Sequence, residues 1–126
     1  MTCGGFSGEA EISRKSAAMV VKHMDHSRFM PTLVHIEPDG WFAEPEPGQR
    51  HPMDAGAFTW TDGEGVVHGF DAVFEMVHGT PGEDGRLSAY FELLGMPYTA
   101  SSPRTLAIGH HKAWTTALLS SMGLPV

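Results

Sequence analysis

The sequence has a single cysteine, Cys3, among its 126 residues, so it cannot form an intramolecular disulfide. It is also poor in basic residues: eight lysines and arginines stand against fifteen acids, and the formal net charge is −7. Without a basic cluster, this balance argues against non-specific binding to nucleic acids or anionic membranes. Long apolar runs, a signal peptide and lipidation motifs are lacking as well. The composition therefore predicts a soluble, cytoplasmic protein in which Cys3 is a small buried residue.

The length and composition fit one globular domain over residues 1–126. Hydrophobic residues make up 41% of the chain and charged residues 18%, both ordinary values for a folded protein. The length is sufficient for one core but near the lower end for an α/β enzyme.

Helical and β-type patterns alternate along the chain. Helical spacing of apolar residues predicts helices at Glu11–Met24, Leu87–Leu94 and His111–Met122. Short β-type runs predict strands at Leu33–Ile36, Trp41–Ala43 and Phe70–Val77, with a hairpin over Phe58–His68. Three prolines between Glu44 and Gly56 predict an irregular loop there. Strands that alternate with helices predict an α/β fold with a mainly parallel sheet.

Two glycine-rich segments each precede a predicted helix. One is Gly4–Ser13 and the other is His78–Gly85, which follows the apolar run Phe70–Val77. In α/β folds, such loops at the carboxyl ends of strands point backbone N–H groups at ligands. The first segment has almost no strand before it.

Glu9 and His78 are candidate ligand-binding residues, and the two loops would bring them together. A carboxylate at a helix start repels an anion such as phosphate, but it pairs well with an ammonium group. His78, beside backbone donors, could hold a carboxylate, so the pair suits an amino-acid zwitterion. The alternatives are that Glu9 caps its helix and that His78 is a hydrogen-bonding residue at a strand end.

Other polar residues have simpler interpretations. Glu83 and Asp84 are expected to stabilise the start of the following helix rather than to form a catalytic acid pair. His110 and His111 point in different directions on a helix and cannot share a metal ion. No metal site is predicted from the sequence.

Several motifs of the sequence, in the same order along the chain, resemble those of D-alanine–D-alanine ligases. Gly4–Ser13 resembles the family's Gly-Gly-x-Ser-x-Glu-x-Glu-Val-Ser, and His78–Gly85 resembles its His-Gly-x-x-Gly-Glu-Asp-Gly. Phe91–Tyr98 is similar to Leu-Glu-Leu-Leu-Gly-Ile-Pro-Tyr, and the likeness extends through Lys112 to the closing Gly123–Val126. It covers nearly the whole chain and is weakest from Glu44 to Val67.

The resemblance implies the amino-terminal, pre-ATP-grasp domain, a Rossmann-like open sheet flanked by helices. It also implies a reaction in which ATP phosphorylates the carboxylate of one D-alanine and the amine of a second attacks the acyl phosphate. The product, D-alanyl-D-alanine, serves peptidoglycan synthesis. ATP and Mg²⁺ would be bound in the full-length enzyme, which the resemblance implies to be a homodimer.

The resemblance also implies individual roles. Glu9 matches the glutamate that orients the first D-alanine through its ammonium, and His78 matches the histidine at that substrate's carboxylate. Gly79 would let the backbone approach the substrate closely. Lys112 matches a lysine that reaches toward the nucleotide phosphates, although His111 stands where the family usually has aspartate.

The likeness predicts that the chain is a fragment, with the first strand missing and the ATP-grasp domains absent, and that it is inactive alone. Two other functions stay open. One is a D-alanine–D-lactate ligase, since the second-substrate site lies outside the chain. The other is a non-catalytic module that binds a small zwitterion.

Overall fold

The computed structural model describes all residues, 1–126, and contains one sheet of six strands in sequence order, flanked by four helices. The strands are β1 (Thr2–Gly4), β2 (Leu33–Glu37), β3 (Gly40–Glu44), β4 (His51–Asp54), β5 (Thr59–Thr61) and β6 (Val67–His68). The helices are α1 (Ala10–His23), α2 (Arg86–Leu94), α3 (Pro103–His110) and α4 (Lys112–Ser121). The predicted α/β class is confirmed. None of these helices has the length and apolar character needed to cross a membrane.

The sheet is mixed, so the expectation of a mainly parallel sheet is wrong. Among the named strands only β1 and β2 are parallel, because α1 crosses over between them, and all later neighbours are antiparallel. Short connections, such as the turn between β2 and β3 at residues 38–39, leave room only for antiparallel pairing. Parallel character returns at two isolated bridges, Thr2 with Glu75 and Val73 with Tyr98.

A strand does precede the first glycine-rich loop, so the expectation that it is missing is corrected. Residues Thr2–Gly4 form β1, which is fully buried and pairs with β2. Three residues are enough because β1 lies inside the sheet, with β2 on one side and the Glu75 segment on the other. Such a short strand carries no periodicity that a sequence pattern can detect.

Two further expectations change at the middle of the chain. The apolar run Phe70–Val77 joins the sheet only through the isolated bridge of Glu75 with Thr2, while Val73 bridges to Tyr98 outside the sheet. The segment 44–56, expected to be an irregular loop, contains β4, in which Pro52 lies opposite Phe42 of β3. The hairpin and the predicted helices are confirmed to within a few residues.

Helices cover the two faces of the sheet with two separate apolar clusters. On one face, Cys3 of β1 packs with Ala17 of α1. On the other, Val34 and Ile36 of β2 pack with buried side chains of α2, Leu87 and Phe91. This three-layer arrangement fixes where both glycine-rich loops emerge, because each loop joins the central part of the sheet to a packed helix.

The single cysteine is a structural residue, as its sequence context predicted. Cys3 is completely buried, and its Sγ lies 3.5 Å from Nδ1 of His35. Nε2 of His35 in turn lies 2.5 Å from Oε2 of Glu44. Burial raises the pKa of the Cys3 thiol to about 11, so the thiol stays protonated at neutral pH and is a poor nucleophile.

Candidate functional site

The two glycine-rich loops lie against each other at one edge of the sheet. We call residues 5–9 the amino-terminal loop and residues 78–85 the histidine loop. The Phe6 N–H donates to the Thr80 carbonyl at 2.8 Å, and the Ser7 hydroxyl donates to the His78 carbonyl at 3.2 Å. These bonds tie two segments that are about seventy residues apart in the sequence.

Gly79 is the point of closest approach between the loops. It is buried and has φ +68, a left-handed conformation that favours glycine. A Cβ at this position would lie 2.6 Å from Ser7 Oγ and 3.7 Å from a carboxylate oxygen of Glu9. The glycine is therefore required by the packing of loop on loop, which brings Glu9 beside the histidine loop.

A single serine of α1 holds both loop-bearing strands. The Ser13 hydroxyl accepts from the Gly4 N–H at 2.9 Å and donates to the Met76 carbonyl at 2.6 Å. Ser13 is fully buried. Sequence reasoning assigned no role to Ser7 or Ser13, although both lie in the first glycine-rich motif, and motif membership was the only signal available for them.

Glu9, His78 and Glu83 converge on one exposed spot between the loops. One ligand atom from each lies within 4.8 Å of the others, and His78 Nδ1 is 3.7 Å from Glu83 Oε1. Glu83 reaches this position because the histidine loop winds back, with the Glu83 N–H donating to the Gly79 carbonyl at 2.7 Å. The expectation that Glu83 only supports the start of the following helix does not include this contact with His78.

The simpler interpretations of Glu9 and His78 do not describe these side chains. Glu9 is the N-cap residue of α1, yet its carboxylate makes no capping hydrogen bond. The His78 ring makes no hydrogen bond to the backbone, and its contact is with Glu83. Both side chains are at least partly exposed, so a ligand can reach them.

Asp84 braces the histidine loop instead of contacting the exposed spot. One of its carboxylate oxygens accepts from the Thr80 hydroxyl, and the other accepts from the Arg86 N–H at 3.2 Å. The Arg86 side chain adds an ion pair at 3.4 Å. The expectation of a supporting role at the start of α2 therefore describes Asp84 well.

Chemically, the spot offers two carboxylates and one imidazole. Carboxylates attract a cation, and a histidine with a carboxylate at Nδ1 can present Nε2 to an anionic group. The same three side chains have a spacing that a metal ion could use, but exposed acids at such distances are common without one. An amino-acid zwitterion uses both kinds of charge.

Lys112 and His111 lie apart from this spot. Lys112 is exposed at the first residue of α4, forms no ion pair, and belongs to a helix that packs on α3. His111 caps α4, since its Nδ1 accepts from the Trp114 N–H at 3.4 Å, and its ring stacks on the Trp114 ring. The structure thus gives His111 a helix-capping role and does not join Lys112 to Glu9 or His78.

Comparison with protein families matches residues 1–101 to the family described as D-ala D-ala ligase N-terminus. Among curated proteins, the D-alanine–D-alanine ligase of Christiangramia forsetii is 37% identical over 121 residues, which is 96% of this chain and 37% of that protein. The ligase of Flavobacterium psychrophilum is 35% identical over 122 residues, or 97% of this chain and 37% of that protein. The chain therefore spans less than two fifths of the length of these relatives.

Solved structures give the same picture. The D-alanine–D-alanine ligase of Coxiella burnetii superposes with a TM-score of 0.88 at 31% identity, covering 99% of this chain and 42% of that one. The D-alanyl-alanine synthetase A of Vibrio cholerae has a TM-score of 0.83 at 29% identity, with 98% and 37% coverage. The fold is shared as well with the VanG D-Ala:D-Ser ligase of Enterococcus faecalis, at a TM-score of 0.80 and 24% identity.

Proposed function

The chain belongs to the D-alanine–D-alanine ligase family as its amino-terminal part, and from this premise we propose that residues 1–126 form the domain that supplies the first D-alanine site. The reaction proposed for the whole enzyme joins two D-alanines, with ATP activating the carboxylate of the first as an acyl phosphate. The dipeptide would serve peptidoglycan synthesis in the cytoplasm.

The observation that carries this proposal is the convergence of Glu9 and His78 across the two loops. A carboxylate and an imidazole a few ångströms apart match the ammonium and the carboxylate of one amino acid. Glu9, free of any capping bond, would pair with the ammonium. In its protonated form, in which both ring nitrogens donate, His78 would donate to the carboxylate from Nε2, with Glu83 orienting the ring from 3.7 Å at Nδ1.

Gly79 contributes by having no side chain. Without a Cβ it lets Ser7 and Glu9 lie against the histidine loop. This packing, together with the loop-to-loop bonds of Phe6 and Ser7, would hold the Glu9 carboxylate and the His78 imidazole at a constant separation, and the Gly79 backbone is proposed to contact the substrate.

The family resemblance assigns one residue of the chain, Lys112, to the nucleotide. Lys112 offers an exposed, unpaired ammonium that could reach a phosphate, but a single lysine does not make a nucleotide site. ATP supplies the phosphoryl group, and we place its binding, with Mg²⁺, in the part of the ligase outside these residues. A homodimer is proposed for the whole enzyme on the family resemblance.

The two alternatives are less well supported. The two curated relatives described above are named D-alanine–D-alanine ligases, which does not favour a D-alanine–D-lactate enzyme. A non-catalytic zwitterion-binding module would use the same Glu9 and His78, and turnover by the longer ligase distinguishes it.

The test is made in the ligase that carries this chain at its amino terminus. Glu9→Gln removes one charge at constant size, and His78→Ala removes the imidazole. We expect each to raise the KM for the first D-alanine by about tenfold or more, which is the loss of about 1.4 kcal/mol of binding. Steady-state kinetics over a wide D-alanine range measure this.

Two matched variants serve as controls. Glu64→Gln and His23→Ala remove the same kinds of group from exposed positions outside the two loops, and both should behave like wild type. The site assignment fails if the Glu9 and His78 variants are as unaffected as these controls.

A further inference from the structure

Glu75 is a half-buried acid directly beneath the histidine loop. It precedes His78 by three residues, bridges to Thr2 of β1, and its N–H donates to Thr99 Oγ1 at 3.1 Å. One carboxylate oxygen, Oε2, is shielded from solvent and has no hydrogen-bond partner, and the nearby Ser88 hydroxyl of α2 is equally shielded and unpaired. A buried acid without a partner is costly unless it is uncharged.

The histidine loop rests on this carboxyl group. A Cβ at Gly82 would lie 2.9 Å from Glu75 Oε1, so the loop backbone lies in contact with the acid. A small cleft of about 110 Å³ opens beside it and is lined by Glu75, Val77, Gly82, Glu83, Ala100 and Leu106. Glu83, which faces His78 on one side of the loop, thus borders the cleft of Glu75 on the other.

The surroundings of Glu75 disfavour its negative charge. Burial raises the pKa of Glu75 to about 7; the polar Ser88 hydroxyl beside the carboxyl opposes this shift, and the negative charge of Asp84 adds to it. The titratable groups that face Glu75 are Asp84 and Glu83 of the loop and Tyr98 of the neighbouring extended segment. All of them are acidic, and Glu75 forms no ion pair.

We propose that Glu75 is a positioning residue for the proposed substrate site. As a neutral carboxylic acid it supports the backbone of Gly82 and thereby fixes the positions of Glu83 and His78. When Glu75 loses its proton, the histidine loop is displaced. The part that concerns D-alanine rests on the proposed function, while the coupling of Glu75 to the loop does not. The negative charge formed on ionisation would be repelled by Asp84 and left unpaired under the loop.

The sign of the pH dependence follows from the raised pKa. An acid whose pKa is higher in the folded protein stabilises the fold while it is protonated, and this contribution is lost as the pH rises through about 7. The loop is therefore expected to be ordered on the acidic side and looser on the alkaline side.

The test is an NMR titration of backbone amides in the 126-residue chain. In wild type we expect the amides of Gly79, Gly82 and Asp84 to shift with a common midpoint near pH 7 and to lose protection from hydrogen exchange above it. Glu75→Gln, which resembles the neutral acid, should abolish this transition. Glu64→Gln, at an exposed acid, should leave it unchanged.

His78 neighbours the loop amides through its contact with Glu83, so a variant that lacks the imidazole, His78→Gln, removes the histidine from the test. The midpoint near pH 7 should persist in that variant. The inference is overturned if the transition survives in Glu75→Gln, or if it disappears in His78→Gln.

A second variant keeps the test decisive if Glu75→Gln does not fold. Ser88→Ala removes the group that opposes the upward shift, so the midpoint should move to higher pH. An unchanged midpoint in Ser88→Ala contradicts the coupling.

Titration with D-alanine distinguishes the coupling of Glu75 to the loop from the binding of D-alanine by the site. If only the form with a protonated Glu75 binds well, the fall in apparent affinity between pH 6 and pH 8 should be about tenfold larger in wild type than in Glu75→Gln. Absence of D-alanine binding at every pH would refute the proposed function, and the amide midpoints would still decide whether Glu75 controls the loop.

Discussion

At the scale of single residues, the site depends on how closely two backbones approach. Gly79 and Ser7 touch, and this contact sets Glu9 beside the histidine loop. Neither residue carries charge. The charged side chains of the site are thus positioned by uncharged residues that permit the approach.

Gly79→Ala tests this contact. Alanine would be strained at φ +68, at a cost of roughly 1–2 kcal/mol, and its Cβ would also lie 2.6 Å from Ser7 Oγ. We expect the free energy of unfolding, measured with urea, to fall by more than the backbone strain alone requires.

Gly95→Ala is the matched control, because Gly95 has nearly the same φ, +65, and a Cβ there meets no atom within 4 Å. Its cost should equal the backbone strain, and Gly79→Ala should cost at least about 1 kcal/mol more. Equal losses in the two variants would show that the contact with Ser7 is unimportant.

At the scale of elements, α1 does more than cover the sheet. Through Ser13 it connects β1 to the segment that leads into the histidine loop. One hydroxyl satisfies a buried donor and a buried acceptor that the short strands cannot pair with each other. The position of the candidate site thus depends on a helix residue that has no contact with any ligand.

Ser13→Ala should therefore be strongly destabilising. It leaves the Gly4 N–H and the Met76 carbonyl without their partner, at roughly 1–3 kcal/mol for each buried group. Thermal or urea unfolding measures the loss. Ser16→Ala, on the same helix but only partly buried, should change stability by no more than about 0.5 kcal/mol, and a similar loss in both variants would contradict the role of Ser13.

At the scale of the whole molecule, the carboxyl-terminal end contrasts with the rest. Helices α3 and α4 contain no buried residue. Trp114 and Leu118 of α4 and Met122, its C-cap residue, recur every four residues and are 58%, 45% and 67% exposed, so one apolar face of this helix has no partner within the 126 residues. The candidate site, by contrast, is built on well-buried strands.

We expect the 126-residue chain to be inactive alone. With ATP, Mg²⁺ and D-alanine it should release no ADP above background, because Lys112 is the one residue assigned to the nucleotide. A coupled assay for ADP measures this, with the longer ligase as positive control. ADP release that depends on D-alanine in the isolated chain would refute the proposal that ATP is bound outside these 126 residues.

The sequence alone determined the α/β class, the helices and the two glycine-rich loops. These features are local: helical spacing, a glycine cap such as Gly95 and turn residues are all readable over a few positions. It also identified Glu9 and His78, because charge type and loop position are properties of the sequence. Their role as substrate contacts remains a prediction.

Only the tertiary structure decided which distant residues meet. The three-residue strand β1, the contact of Glu83 with His78, the Ser13 bridge and the acid Glu75 under the loop have no local signature. Glu75 stands in an apolar run that predicts a core strand, and only packing shows that its carboxyl is buried beside Asp84 and a glycine. Strand pairing, burial and the pKa shifts that follow from burial depend on contacts between residues far apart in the chain. A sequence pattern covers only neighbouring positions and does not show which distant residues come into contact.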